Sequence, residues 1–508
     1  MARSLSIATV LLAITTVSSA IPHSIPSYLL YKRLSSLNPA SINWGPCSKA
    51  SFPDNLTCAN YSVPLDWKNP NDNETVELGM VRIEARDQKN RIGYLFINPG
   101  GPGGQASSLV ASLARSPQRL APEILDRFDI IGLDPRGVGL STPVQCDVAT
   151  FNKRVAFFPK TQAQYDELVS YNKAVGESCR QKTGALLDFV DTISAANDHE
   201  AVRLALGGDK ATFIGLSYGT QLFSQYAQLY PDGARALLLD GNLQHSQDEP
   251  ANLLTEAASY EATLKRFFEW CAGDDSCPLK GQDVEAKYKS VLANATKAAI
   301  PAPGCDNDPE CRSDVNEEDF LFNIQGFLTT TGGWPGLAQA LIEAGDGNAT
   351  LISQGQSLAI GDVFEDSYLF AGTAISCQDW AHASKSLADV QEKAIQGKTF
   401  TPLTQGACQS YKIQTTCIGW PAPLSNPPAP VSYKGNVTAL MVNAVYDPST
   451  SYTWALGLHS EIENSILLTR NGSGHTTYLN GLESETVTAM NAYLVNLTLP
   501  EPGTVFAT

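Results

Sequence analysis

Histidine is scarce in this sequence of 508 residues, with only six, and positive charge is the minority sign: 35 lysines and arginines stand against 52 aspartates and glutamates. The resulting net charge of −17 argues against nucleic acid or an anionic membrane surface as partner, because both would repel it. Long hydrophobic runs are missing beyond the N-terminus, where no stretch approaches the roughly 18 apolar residues of a membrane-spanning helix. The cysteines include no C-x-x-C pair, and with so few histidines to assist them a metal site is a weak reading. The glycine-rich segment Asn98-Pro99-Gly100-Gly101-Pro102-Gly103-Gly104 lacks the G-K-[ST] ending of a phosphate-binding loop. No cofactor and no metal are expected, and nothing in the sequence sets an oligomeric state.

What is present begins with an address. Arg3, the apolar run from Ile7 to Val17 and the small residues Ser18-Ser19-Ala20 form the pattern of a signal peptide over residues 1–20. Eleven cysteines agree with an oxidising compartment. Several lie close together: Cys47 with Cys58, Cys271 with Cys277, Cys305 with Cys311, and Cys408 with Cys417, while Cys146 and Cys179 are farther apart. That pairing leaves Cys377 as the odd one, with a bridge from Cys377 to Cys408 or Cys417 still open. Eight Asn-x-Ser/Thr sequons, at Asn55, Asn60, Asn73, Asn294, Asn348, Asn436, Asn471 and Asn496, support a secreted, extracellular glycoprotein.

Apolar runs rich in β-branched residues end in glycine- or aspartate-containing turns, at intervals that leave room for crossover helices. That spacing predicts an α/β fold with a mostly parallel central sheet. Strands are expected over 92–98, 128–133, 211–215, 234–240, 437–444 and 465–469, preceded by an antiparallel pair over 61–67 and 76–85. The pattern breaks between Asn242 and Pro430, where helical periodicities (253–270, 320–328, 337–344) and seven of the cysteines occur. The organisation expected is a core over 21–241, an inserted cap over 242–430, and a C-terminal part of the core over 431–508.

The chemistry starts at Gly215-Leu216-Ser217-Tyr218-Gly219. A serine between glycines, on a sharp turn from strand to helix, lifts its hydroxyl above the sheet edge. An ordinary serine needs a base. Chain order leaves His459 and His475, and His475 is preferred because it sits in a loop after the last strand, whereas His459 precedes that strand in a helix. Asp447, at the end of the strand that includes Met441 to Tyr446, is the acid expected to orient the imidazole. Asp240 is the rival; an Asp-Gly after a strand is equally well explained as a turn. Asp134 and Arg136 are read as structural residues that fix a loop near the site. The negative oxygen of a tetrahedral intermediate needs preorganised donors, assigned to the glycine loop at Gly100 and Gly101 and to the N–H of Tyr218.

These segments, with Asp134-Pro135-Arg136-Gly137-Val138-Gly139, Asp240-Gly241 and the opening Cys58-Ala59 followed by Val63-Pro64-Leu65-Asp66-Trp67, resemble the secreted tripeptidyl aminopeptidase and proline iminopeptidase group of α/β-hydrolases. The resemblance runs from about Trp44 to Tyr478 and is weakest in the cap. It implies an α/β-hydrolase fold and a serine exopeptidase that releases one to three residues from free peptide N-termini through an acyl-enzyme. That role calls for cap carboxylates to meet the substrate ammonium, since a buried unpaired amine is costly; Asp248, Glu249, Glu365 and Asp379 are the candidates. An esterase acting on a small acyl substrate uses the same machinery. A binding module on an inactive hydrolase fold is the third reading, and the complete set Ser217, Asp447 and His475 speaks against it.

Overall fold

The computed structural model describes residues 41–70, 72–306, 308, 311–353, 368–380, 382–481 and 484–507. The expected signal peptide and Glu365 lie outside the described residues. In chain order the strands are β1 (Gly45–Pro46), β2 (Thr57–Pro64), β3 (Thr75–Ile83), β4 (Gly93–Asn98), β5 (Phe128–Leu133), β6 (Ala211–Leu216), β7 (Ala234–Asp240), the small pair β8 (Ile300–Pro301) and β9 (Asp314–Val315), then β10 (Ala439–Tyr446), β11 (Ser465–Ser473) and β12 (Val505–Ala507). All but β8 and β9 join one sheet in the order β1-β2-β3-β5-β4-β6-β7-β10-β11-β12. It is antiparallel from β1 to β5 and parallel from β5 to β12.

The largely apolar strands β5 and β6 are buried along their whole length, Asp129 and Thr212 included, as strands with both faces covered are. Side chains still alternate between faces. Leu95 and Ile97 of β4 pack with Ile130, Ile214 and Leu238 on one face; Phe96 packs with Ile131, Phe213 and Leu239 on the other. Helices Ala106–Arg115, Thr192–Ala205 and Tyr218–Leu229 supply part of the cover. The helix Thr192–Ala205 starts where Asp191 accepts a hydrogen bond from Ser194 N, the usual way to satisfy an orphan N–H.

Between β7 and β10 the chain leaves the sheet and forms a roof of helices, among them Glu249–Gly273, Val284–Lys297, Glu317–Phe327, Trp334–Gly345, Tyr368–Asp379, Leu387–Phe400 and Gln409–Thr416. Tyr260, Phe267, Tyr288, Phe320, Leu337 and Leu341 belong to a core separate from those of the sheet. The first roof helix begins earlier than its periodicity predicts. Asp248 caps it, accepting a hydrogen bond from Ala251 N, and a proline occupies its first turn, where the missing N–H costs nothing.

The described disulfides are Cys47–Cys58, Cys146–Cys179, Cys271–Cys277, Cys305–Cys311 and Cys377–Cys417. This corrects the expected pairing at the end of the roof: Cys377 is bridged, and the buried free thiol is Cys408. The reason is helical. Cys408 and Cys417 flank the helix Gln409–Thr416, which separates them by about 13 Å at the α-helical rise, well beyond the reach of a disulfide.

Candidate active site

Ser217 sits between β6 and the helix Tyr218–Leu229 with φ 55° and ψ −126°, a left-handed conformation that a side chain adopts only at a cost. The glycines at either side make the turn possible by contact as well as by flexibility. A Cβ on Gly215 would lie 2.3 Å from Gly219 O, and one on Gly219 would lie 2.7 Å from Asn98 O. The turn is therefore pressed against its own first helical turn and against the end of β4. Ser217 N donates to Asp240 O at 2.9 Å, which ties the turn to the end of β7.

Asp447 follows β10 and is fully buried. Its Oδ1 accepts from Ser449 N at 2.9 Å and Thr450 N at 2.8 Å, and its Oδ2 from Thr450 Oγ1 at 2.8 Å. His475 follows β11, and its Nδ1 lies 3.0 and 2.9 Å from the two Asp447 carboxylate oxygens. A carboxylate only accepts, so Nδ1 carries the proton and Nε2 is the basic nitrogen. Burial by itself favours the neutral form of both groups. The opposite charge of the partner and the hydrogen bonds outweigh it, holding Asp447 below the usual carboxylate range and raising His475 above the ordinary imidazole value of 6.5. Among the described residues neither Ser217 Oγ nor His475 Nε2 has a hydrogen-bond partner, an arrangement common before a substrate draws base and nucleophile together.

The three groups thus stand at the C-terminal ends of β6, β10 and β11, where open parallel sheets place their ligands. Residues 94–295, which contain Ser217, match the family described as "alpha/beta hydrolase fold", and residues 401–506, which contain Asp447 and His475, match the family described as "TAP-like protein". The chain has the α/β-hydrolase fold, and its C-terminal part is similar to TAP-like proteins. The hydrolase is 29% identical to serine protease Hip1 of Mycobacterium tuberculosis, over 91% of this chain and 90% of that protein. It is 26% identical to tripeptidyl aminopeptidase of Streptomyces lividans, over 86% and 81%. To carboxylesterase B of Mycobacterium tuberculosis the identity is 28%, over 87% and 85%.

The rival acid has a different partner in the hydrolase. Asp240 is fully buried and its Oδ2 accepts from Thr477 N at 2.7 Å and Tyr478 N at 2.8 Å, so it anchors the loop that presents His475. Burial raises its carboxyl to about 6 despite those bonds. Arg470 holds the same loop from inside, donating to the carbonyls of Ser473 at 3.0 Å and Gly474 at 2.8 Å and to Thr477 Oγ1 at 3.0 Å. The roof reaches it too, since His475 N donates to Thr329 O at 2.7 Å. Nothing local in the sequence marks Arg470 or Thr329, because both act through backbone atoms of residues distant along the chain or hidden in a loop. His459 is bonded to Ser465 Oγ at 2.7 Å, next to its own helix.

The glycine loop divides its labour more finely than its sequence shows. Gly100 N–H is already engaged by Asn98 Oδ1 at 2.9 Å, which corrects its assignment as an oxyanion donor. Its role is proximity: a Cβ there would lie 2.5 Å from Leu216 O and 2.7 Å from Ser217 Cβ. Gly103 meets the roof instead, where a Cβ would come within 2.4 Å of Tyr368 O. Gly101 and Tyr218 remain as candidate donors, the latter because the first N–H of a helix has no intrahelical acceptor. Asp134 accepts from Ser107 N and Leu140 N, both at 2.8 Å. Arg136, fully buried, pairs with Asp198 through Nε at 2.7 Å and Nη2 at 2.6 Å. Both residues stiffen loops beside the site.

The roof acids are largely spoken for. Asp248 caps its helix, and Glu249 lies 3.4 Å from Lys393 Nζ. Asp379 is fully buried, accepting from Thr192 N at 3.0 Å, from Asn426 Nδ2 at 2.9 Å and from Thr192 Oγ1; burial raises its carboxyl to about 7. Glu256, which no motif singles out, accepts from Ser410 N at 2.8 Å, Gln409 N at 3.1 Å and Gln325 Nε2 at 2.8 Å. It caps the helix Gln409–Thr416 from across the roof. Gln325 Nε2 also donates to Pro448 O at 2.8 Å, joining the roof to the loop of Asp447. Beneath these helices lies a cavity of about 790 Å³ bordered by Gly101, Pro102, Gln325 and Thr330.

Proposed function

We propose that Ser217, His475 and Asp447 are the catalytic residues of this serine hydrolase and that its substrates are peptides. The observation that carries the reading is the bond of His475 Nδ1 to both oxygens of Asp447, beside a serine held at positive φ. Ser217 Oγ attacks the carbonyl carbon while His475 Nε2 takes its proton. The C–N bond then breaks, the proton passes to the leaving amine, and water hydrolyses the acyl-enzyme by the same route in reverse. Gly101 N–H and Tyr218 N–H receive the developing oxyanion.

The printed names of two relatives, a serine protease and a tripeptidyl aminopeptidase, support a peptidase, and the roofed cavity supports an exopeptidase that releases one to three residues from a free N-terminus. Its volume falls in the range of sites that enclose small ligands. Within this proposal the core comprises 21–241 and 431–508, and 242–430 is the cap. Secretion and glycosylation belong to it as well, supported by five disulfides and the eight sequons. No helix of the described residues is long and apolar enough to cross a membrane.

One observation favours an esterase as the second reading: among the described residues no aspartate or glutamate lines the cavity. The test is a set of tripeptide p-nitroanilides with free or acetylated N-termini beside p-nitrophenyl esters. Cleavage confined to the free-amine peptides is the expected result. Equal cleavage of acetylated peptides removes the exopeptidase reading, and turnover of esters alone replaces the peptidase with the esterase.

A further inference from the structure

One charged residue of the roof stands on the wall of the cavity itself. Lys412 lies on the helix Gln409–Thr416, lines the same cavity as Gly101 and Pro102, and has an exposed side chain. Its Nζ stands 5.5 Å from the ring centre of Phe157 and 5.8 Å from that of Phe322. Among the described residues it has no carboxylate within ion-pair distance. Asp319, whose charge acts on it, is committed to Arg154 at 2.7 Å and to Asn316 N at 3.2 Å. The protein around it pushes the ammonium below its ordinary value, with the charge of Asp319 opposing that shift and the charge of Arg312 adding to it.

Several other ionic groups of the roof are matched, Arg312 apart, whose Nη1 donates to the carbonyl of Asn152 at 3.1 Å. Arg154 takes Asp314 and Asp319, Lys393 takes Glu249, and Lys265 takes Glu261. The ammonium reaches the water of the cavity with two aromatic faces beside it, so among the described residues it is available to an anionic group that enters there. The rest of the described lining consists of apolar and neutral polar side chains such as Phe322, Leu351, Ile352 and Ser376. The site has the chemistry to receive an extended group that is apolar along its length and anionic at its end.

We propose that Lys412 is a specificity-determining residue that binds a carboxylate on the acyl portion of the substrate, such as the side chain of a glutamate or aspartate in the released peptide. The proposal rests on Ser217 acylation as set out above. It reverses the emphasis on a substrate ammonium, because among the described residues the charged side chain on the cavity wall is positive.

The probes are p-nitrophenyl monoesters of succinic, adipic and suberic acid, each paired with the neutral ester whose acyl chain ends in a methyl group. Within each form of the enzyme, kcat/KM for the anionic ester is divided by that for its neutral partner, so that a change in the amount of folded enzyme cancels. The native chain is expected to favour the anionic ester at least about tenfold for one chain length, and less at high salt as screening sets in. Lys412→Met is expected to bring the ratio to about one, Lys412→Glu to invert it, and Lys412→Arg to retain it. A native ratio at or below one for every length overturns the proposal, as does a preference that survives in Lys412→Met. The two failures separate cleanly: turnover that persists in Ser217→Ala refutes the nucleophile, whereas loss of turnover in Ser217→Ala together with a ratio insensitive to position 412 refutes the role of Lys412 alone.

Discussion

The sheet edge and the roof above it solve different problems with the same polar groups. At the sheet edge, buried carboxylates are held by backbone N–H groups of nearby turns: Asp447 by Ser449 and Thr450, Asp240 by Thr477 and Tyr478. Each fixes a loop, and one of them also meets an imidazole. In the roof, carboxylates are consumed in holding helices to one another, as Glu256 does at the start of the helix Gln409–Thr416. The difference teaches that a buried acid near a cleft is not thereby a ligand group. What distinguishes Asp447 is the titratable partner it faces, and what distinguishes Lys412 is its place on the cavity wall with no ion-pair partner among the described residues.

Substitutions can break this division. The largest effect belongs to Ser217→Ala, expected to lower kcat by about 10⁶ and abolish labelling by a fluorophosphonate while the roof and its bridges stay intact; residual stoichiometric labelling would place the nucleophile elsewhere. Next comes Asp447→Asn, expected to cost about 10⁴ in kcat because the amide reverses the donor and acceptor roles at Nδ1. Asp240→Asn is the matched control: it loosens the loop of His475 and is expected to cost far less in kcat. A result in which Asp240→Asn is the more damaging would exchange the two roles.

The pH profile sharpens the comparison more gently. His475 must be neutral to accept the serine proton, and its raised pKa means that kcat/KM falls with decreasing pH through an apparent value above 6.5. In Asp447→Asn the counter-charge is gone, so that limb is expected to move to lower pH; an unmoved limb would assign it to another group. The smallest effect is expected in the roof. Cys408→Ala removes a buried thiol that is in no bridge, so its cost is about 1 kcal/mol in denaturant titration. In the same variant thiol titration of the unfolded, unreduced chain drops to zero; a thiol that persists would move the free cysteine back to Cys377.

Much of the sheet was legible because its signals are local. The alternation of Leu95, Phe96 and Ile97 across two cores and the glycines around Ser217 follow from period two and from close backbone approach. The bounds of β5 and β7 coincide with expectation, and β11 runs on to Ser473, carrying the chain to the loop of His475. The cysteine pairing was less legible. Proximity in sequence joined Cys408 to Cys417, but a helix between them sets their separation. The oxyanion loop was legible as a loop and not atom by atom, since Asn98 Oδ1 occupies Gly100 N–H.

The sequence by itself determined the strand–turn–helix around Ser217, the parallel sheet and the chain order of serine, acid and base, because each rests on residue types at short, fixed spacings. The tertiary structure alone decided which aspartate faces His475, which glycine N–H is taken by Asn98, which cysteine remains unpaired and, among the described residues, which charge lines the cavity. Those four depend on the partner that long-range packing brings within about 3 to 4 Å, the range over which hydrogen bonds and ion pairs act, and no spacing along the chain encodes it.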